Sequence, residues 1–270
     1  MTARTTSFPA TPRTRGKHVF YCFLAFFAML MTVPFFTGCG SEQSEYEQGT
    51  ASLEKGDYTA AFKHFTRGAD SDAKAKLMLS LCYRTGIGVV EDTGKADQLL
   101  EEAAVAGDEY ALFCYAYDFL TQDEEEKGMR YLKRSVDKGC VLAQMIFAVL
   151  SLADDRSGDA LKYYEIVADQ PLTDRKTPFD YIPELTEEFS EELYESLSFG
   201  DMTLDLKLEN PSITNMSIVV SQISLGMLYA AGEDTFGIKR DEAKAKEWIK
   251  RAEKNGFAKA DEFLKKLGVD

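Results

Sequence analysis

The chain has 270 residues, 45% apolar and 28% charged. Those proportions exclude an extended disordered tail and a polytopic membrane protein. Asp and Glu total 45 against 31 Lys and Arg, a formal net charge of −14; a surface of that sign repels a phosphate backbone, so no nucleic-acid partner is expected. The two histidines, His18 and His64, are too few for multi-histidine metal sites, and no metal or small-molecule cofactor is expected.

Residues 1–38 carry Arg4, Arg13, Arg15 and Lys17 and no acid, and a charge-free run from Val19 ends at Phe36-Thr37-Gly38-Cys39-Gly40. A basic stretch, an apolar stretch and small residues before a cleavage point describe a secretory signal. The tetrapeptide Phe36 to Cys39 resembles a bacterial lipobox, although Phe36 stands where that pattern usually has leucine. The resemblance implies that Cys39 is lipidated, becomes the mature N-terminus and ties the chain to a membrane. Gly40, in place of an aspartate after the cysteine, implies outer-membrane sorting with the protein facing the periplasm. The alternative is an uncleaved inner-membrane anchor formed by residues 19–36, slightly short of the ~20 apolar residues that a spanning helix needs.

From Ala75 the chain reads Ala75, Leu79, Tyr83, Gly86, Gly88, Asp92, Lys95-Ala96, Leu99, Ala103-Ala104, Gly107, Ala111. The order returns as Leu225-Gly226, Tyr229, Gly232, Gly237, Asp241, Lys244-Ala245, Trp248, Ala252, Gly256, Ala260, with identical spacing from Gly88 to Ala111 and from Gly237 to Ala260. Two shortened copies between them, starting at Ala111 and Ala143, lack the glycine loop. Upstream, Gly56-Asp57-Tyr58 and Ala61-Phe62 resemble the turn and second helix of a tetratricopeptide unit. The pattern resembles the SEL-one-like repeat, a relative of the tetratricopeptide repeat. It implies an all-α fold, an α/α right-handed superhelical solenoid of antiparallel helix pairs. The expected division is a signal peptide with lipobox at 1–38, about four helix pairs at 39–170, an insertion at 171–217, and a last repeat with a capping helix at 218–270.

Small residues such as Ala75, Ala96 and Ala103 fall where helices approach closely, and large ones such as Tyr83, Leu99, Tyr131 and Trp248 fill the space between pairs. Glycines 86, 88, 107, 139, 232, 237 and 256 supply turns, where positive φ costs them little. First helices, such as Leu77 to Tyr83 and Val141 to Leu150, are apolar nearly all round. Second helices, such as Glu124 to Lys138, are amphipathic. A helix apolar on every side must be covered on every side, so the first helices are expected to form the inner layer and line an apolar groove. Leu81, Arg84, Tyr115, Tyr117 and Asp118 are the candidate partner-binding residues there. Cys82, Cys114 and Cys140 fall at offsets too distant for bridging, and free thiols are expected. His64, in the slot of Trp248, is expected to pack between helices.

At Pro171 the repeat pattern stops, and about 46 extra residues precede the next unit. Pro183 could open a helix with Leu185, Phe189, Leu193 and Leu197 along one stripe. Met202, Leu204, Leu206 and Leu208 alternate with polar residues, as in a half-buried strand. The insertion either closes over the groove or simply adds a helix to the stack.

No phosphate-cradling loop, Gly-x-Ser-x-Gly or His-Glu-x-x-His is present, and the acidic run Asp123 to Glu126 suits a helix start. Family resemblance implies a membrane-tethered scaffold or adaptor in the bacterial cell envelope that binds a protein or peptide through its concave face, not an enzyme. The alternative it offers is an envelope enzyme, such as the β-lactam-hydrolysing members; those carry a cysteine pair in each repeat, which this chain lacks.

Overall fold

Eight helices follow one another at nearly constant length in the computed structural model, which describes residues 43–182, 185, 206–232 and 237–269. They form four pairs: α1 (Glu45–Glu54) with α2 (Tyr58–Gly68), α3 (Ala73–Thr85) with α4 (Thr93–Ala106), α5 (Glu109–Thr121) with α6 (Glu125–Asp137), and α7 (Val141–Ala153) with α8 (Ser157–Ala168). A fifth pair, α9 (Ile213–Ala231) and α10 (Glu242–Lys254), and a short α11 (Ala260–Lys266) complete the stack. Each helix packs on its pair partner, and each second helix on the first helix of the next pair, the quasi-one-dimensional arrangement of an α-solenoid. No strand occurs among the described residues; Leu206 and Phe257 form an isolated antiparallel bridge.

The starts and ends of the helices are written locally. Asp72, Asp92, Asp108 and Asp241 each cap a helix by accepting hydrogen bonds from backbone N–H groups of its first turn. All seven glycines expected at turns have positive φ. The two full-length loops close identically: Asp92 N donates to Tyr83 O and Asp241 N to Tyr229 O, both at 2.9 Å. The two shortened repeats turn instead at Asp123 (φ 60°) and Asp155 (φ 57°), because aspartate tolerates the left-handed region better than most residues.

Close packing follows the small residues. A Cβ on Gly68 would stand 2.8 Å from the Ala75 methyl, joining the first two repeats without room for a larger side chain. Ser80 Oγ donates to Ala96 O at 2.7 Å and Ser135 Oγ to Glu109 O at 2.6 Å, each tying the helices of one pair. The first helices are buried on nearly every side: Leu77 to Cys82 in α3, and every residue of α9 but Ala231. α9 is long and apolar enough to cross a bilayer by length and composition, yet its most apolar window is wholly buried inside the fold. It begins at Ile213, ahead of the boundary expected at 218. Gln222 in its middle donates to Ala168 O and accepts from Asn255 Nδ2, linking α8, α9 and α10. The stack is therefore continuous across the insertion.

His64 does more than pack. Its Nδ1 lies 2.7 Å from Glu45 Oε2, joining α2 to α1, and this bond holds the Glu45 carboxyl below the usual carboxylate range. Cys82, Cys114 and Cys140 are free. Burial pushes the thiols up, to about 12 at Cys82 and about 11 at Cys140, so they are protonated and poorly nucleophilic at neutral pH.

Candidate functional site: the inner groove and the segment across it

The insertion does not leave the stack at once. After α8 it runs as an extended segment through Pro171 to Thr177, then makes a 3-10 turn at Pro178–Tyr181. That turn reaches back to the beginning of the solenoid. Lys176 Nζ pairs with Glu54 Oε1 of α1 at 2.9 Å, and the side chains of Tyr181 and Thr50 share a hydrogen bond. Phe179 is 1% exposed and meets the rings of Tyr110 and Phe113 edge-on, at centroid distances of 5.8 and 6.1 Å. Ile182, fully buried, joins the core of the first three repeats.

Polar contacts fix both ends of this crossing. Asn215 of α9 accepts from Thr173 N and donates to Thr173 O and Asn210 O, all at 2.9 Å. Asp180 accepts from Thr177 N and from Ile213 N, the first residue of α9. On the return, Lys207 N donates to Gly256 O at 2.7 Å, and Leu206 and Leu208 pack on the C-terminal core. The expected alternation of the return strand is thus visible over 206–209. Apart from Leu185, the expected helix from Pro183 lies outside the described residues, as do the first half of that strand and Cys39.

The segment 171–182 of the insertion therefore reaches repeats one to three and buries Phe179 and Ile182 there. One cavity left open there, of about 120 Å³, lies between α3, α5 and the insertion. Four of the five expected residues line it: Leu81, Arg84, Tyr117 and Asp118, joined by Leu100, Cys114, Phe179 and Leu185. Its floor is apolar. Its rim carries Arg84, whose Nη2 is 3.2 Å from Asp118 Oδ2 and 3.0 Å from Asp97 Oδ1. At about one-third exposure, Arg84 and Asp118 form a pair that solvent can compete with. Tyr115 is not among these lining residues; it lines a second cavity, with Phe119 and Tyr131. Its hydroxyl donates to Glu101, and burial raises its pKa first, with Glu101 adding to the shift.

Sequence reasoning missed Phe179 and Ile182. They sit in a stretch with neither helical nor alternating periodicity, so no pattern marked them as core. The available signal was indirect: first helices with more apolar surface than a neighbouring pair can cover.

No group of three or more His, Cys, Asp and Glu among the described residues is placed to hold a metal ion. The stacked antiparallel helix pairs define the class as an α-solenoid of repeats. The Sel1 repeat profile matches residues 39–72, 73–108, 109–140 and 219–257, more than half of the sequence. The chain belongs to the Sel1 repeat family, whose members usually serve as non-enzymatic protein-interaction scaffolds. The proteins named DAP3-binding cell death enhancer 1 of Mus musculus and Rattus norvegicus are each 33% identical to it over 129 residues, 44% of this chain. The chain matches 25% of the length of those relatives. The crystal structure of a Sel1 repeat protein from Oxalobacter formigenes superposes with a TM-score of 0.50 at 18% identity, covering 95% of this chain and 92% of that one. That likeness concerns the fold.

Proposed function

We propose that this protein is a lipid-tethered scaffold of a bacterial cell envelope, holding a protein partner at the inner groove bounded by α3, α5 and the insertion. The observation that carries the reading is the groove itself: an apolar floor at Leu81, Leu100, Cys114 and Phe179 under a solvent-accessible Arg84–Asp118 pair. An anchor side chain entering the floor would gain burial, while the rim pair could re-partner with a polar group beside it. The leader ending at Cys39 would supply the tether, on the outer membrane facing the periplasm; an inner-membrane anchor at residues 19–36 is the other form of the same reading.

Two measurements test it. Metabolic labelling with an alkyne fatty acid in a bacterial host should mark the chain and fail on Cys39→Ser; labelling that survives refutes lipidation. A photocrosslinking residue at position 84 or 117, in cells, should capture one reproducible protein. The same residue at Val105, 69% exposed on α4, should not. Identical capture from all three positions would refute the groove.

A further inference from the structure

The second cavity, where Tyr115 lies, is not a product of repeat packing. It measures about 460 Å³ and is lined by Tyr115 and Phe119 of α5 and by Lys127, Arg130, Tyr131 and Arg134 of α6. The rings of Phe119 and Tyr131 stack at 5.8 Å with 16° between planes, and Tyr115 stands edge-on to both at 4.8 Å. Lys127 lies over Phe119 and Arg134 over Tyr131, 5.2 and 5.3 Å from the ring centres.

Comparison within the chain separates architecture from decoration. A lysine over an aromatic ring recurs in the second and fifth repeats, as Lys95 over Tyr83 and Lys244 over Tyr229. There the tyrosine hydroxyl accepts from the lysine, at 2.6 and 3.3 Å, and the pair is closed. In the third repeat Phe119 has no hydroxyl, and Lys127 turns to Glu124. The positions of Arg130 and Arg134 hold Gln98 and Glu102 in the second repeat and Lys162 and Ile166 in the fourth, so the fold does not need arginines there. Nor are they neutralised. Of the other described arginines, Arg67, Arg84, Arg156, Arg240 and Arg251 pair with carboxylates, and only Arg175 does not. Arg130 and Arg134, exposed on a strongly acidic protein, have no ion-pair partner among the described residues.

We propose that this aromatic and cationic cavity is a binding site for an acidic, aromatic-bearing peptide segment of a partner protein. Arg130 and Arg134 are one helical turn apart, ~6 Å along the axis. Carboxylates at alternate positions of an extended peptide are spaced by ~6.6 Å and point the same way, so each can meet one guanidinium, the geometry in which arginine outperforms lysine. The next side chain on that side then lies over the aromatic floor, where a ring packs edge to face. The site is separate from the inner groove, and its failure would leave the groove reading standing.

The test is fluorescence anisotropy of the purified full chain with a labelled heptapeptide, Glu-Ser-Glu-Ser-Phe-Ser-Glu, at physiological salt. Saturable binding is expected, weakened at least about tenfold by Arg130→Glu with Arg134→Glu. The control pair Lys63→Glu with Lys265→Glu, equal in charge change and exposed on α2 and α11, should stay within about twofold. Replacing the peptide's Phe by Ser should cost at least about fivefold. No saturable binding, equal losses from both charge reversals, or no loss with the Ser peptide would overturn the proposal. So would arginine-dependent binding to anionic phospholipid vesicles without peptide binding, which would assign the site to a lipid headgroup.

Discussion

Gly88 and Gly237 occupy the same position of the repeat and have nearly the same backbone, φ 70° and φ 66°, but different surroundings. A Cβ on Gly237 meets nothing within 4 Å among the described residues. A Cβ on Gly88 would overlap the carbonyl oxygen of Tyr58, with the carbonyl carbon at 2.7 Å and the Phe62 Cβ at 3.0 Å. Gly237→Ala therefore isolates the cost of a left-handed conformation, roughly 1–2 kcal/mol, less up to ~1 kcal/mol recovered from the stiffer unfolded chain. Gly88→Ala adds a methyl group forced against main chain at the start of α2. The loop and α2 must separate by about an ångström, an overpacking cost of about 1–3 kcal/mol. The two variants should differ by about 2 kcal/mol, or roughly 4–8 °C in Tm for a fold of this size. Urea and thermal unfolding followed by circular dichroism measure the difference, and hydrogen exchange should show the added loss of protection concentrated in α2. Variants equal within about 0.5 kcal/mol would refute the claim that the glycine loop fastens one repeat to the preceding one.

Three further outcomes are expected. Asp108, capping α5 while 5% exposed, has its pKa raised from 3.8 to about 6, chiefly by burial. A raised carboxyl contributes stability that is present below about pH 4 and lost as pH rises to about 6. Asp108→Asn keeps a capping oxygen but cannot ionise, so its stability relative to wild type should climb by about 3 kcal/mol across that window, read by urea unfolding at several pH values; a flat difference refutes the assignment. Phe179→Ala should lower stability by about 3–5 kcal/mol, as for a core aromatic, in calorimetry or dye-monitored melting; a loss under ~1 kcal/mol would mean the insertion merely rests on the surface. Asp155→Gly should raise stability by roughly 0.5–1 kcal/mol in the same melts, because glycine relieves the positive φ at that shortened turn, and a lowered Tm would contradict it.

The repeats and their turn glycines were legible because each is a local device, as are the capping aspartates that the structure added. A side-chain oxygen bonds an N–H two or three residues on, a glycine reaches positive φ, and both recur at fixed spacing. The inner position of the first helices was legible for a related reason, since Leu77 to Tyr83 leaves no polar side to face water. Four groove residues, Leu81, Arg84, Tyr117 and Asp118, followed from that register. The turn chemistry of the shortened repeats was not, because Asp123 and Asp155 look like ordinary helix-start acids until φ is known. Tyr115 shows the limit of the same register argument: a helix covered on all sides has more than one lined face, and spacing alone does not say which cavity a given residue enters.

Order along the chain, then, determined the helix pairs, where they begin and end, and which of them is interior. Tertiary structure alone decided what lies across the inner face and which charges are left unpaired. Lys176 reaches Glu54, and Phe179 reaches Tyr110, across separations that no local periodicity encodes. Such contacts form because an extended, aperiodic segment is free to go wherever exposed apolar surface is greatest, and that surface exists only once the helices have stacked.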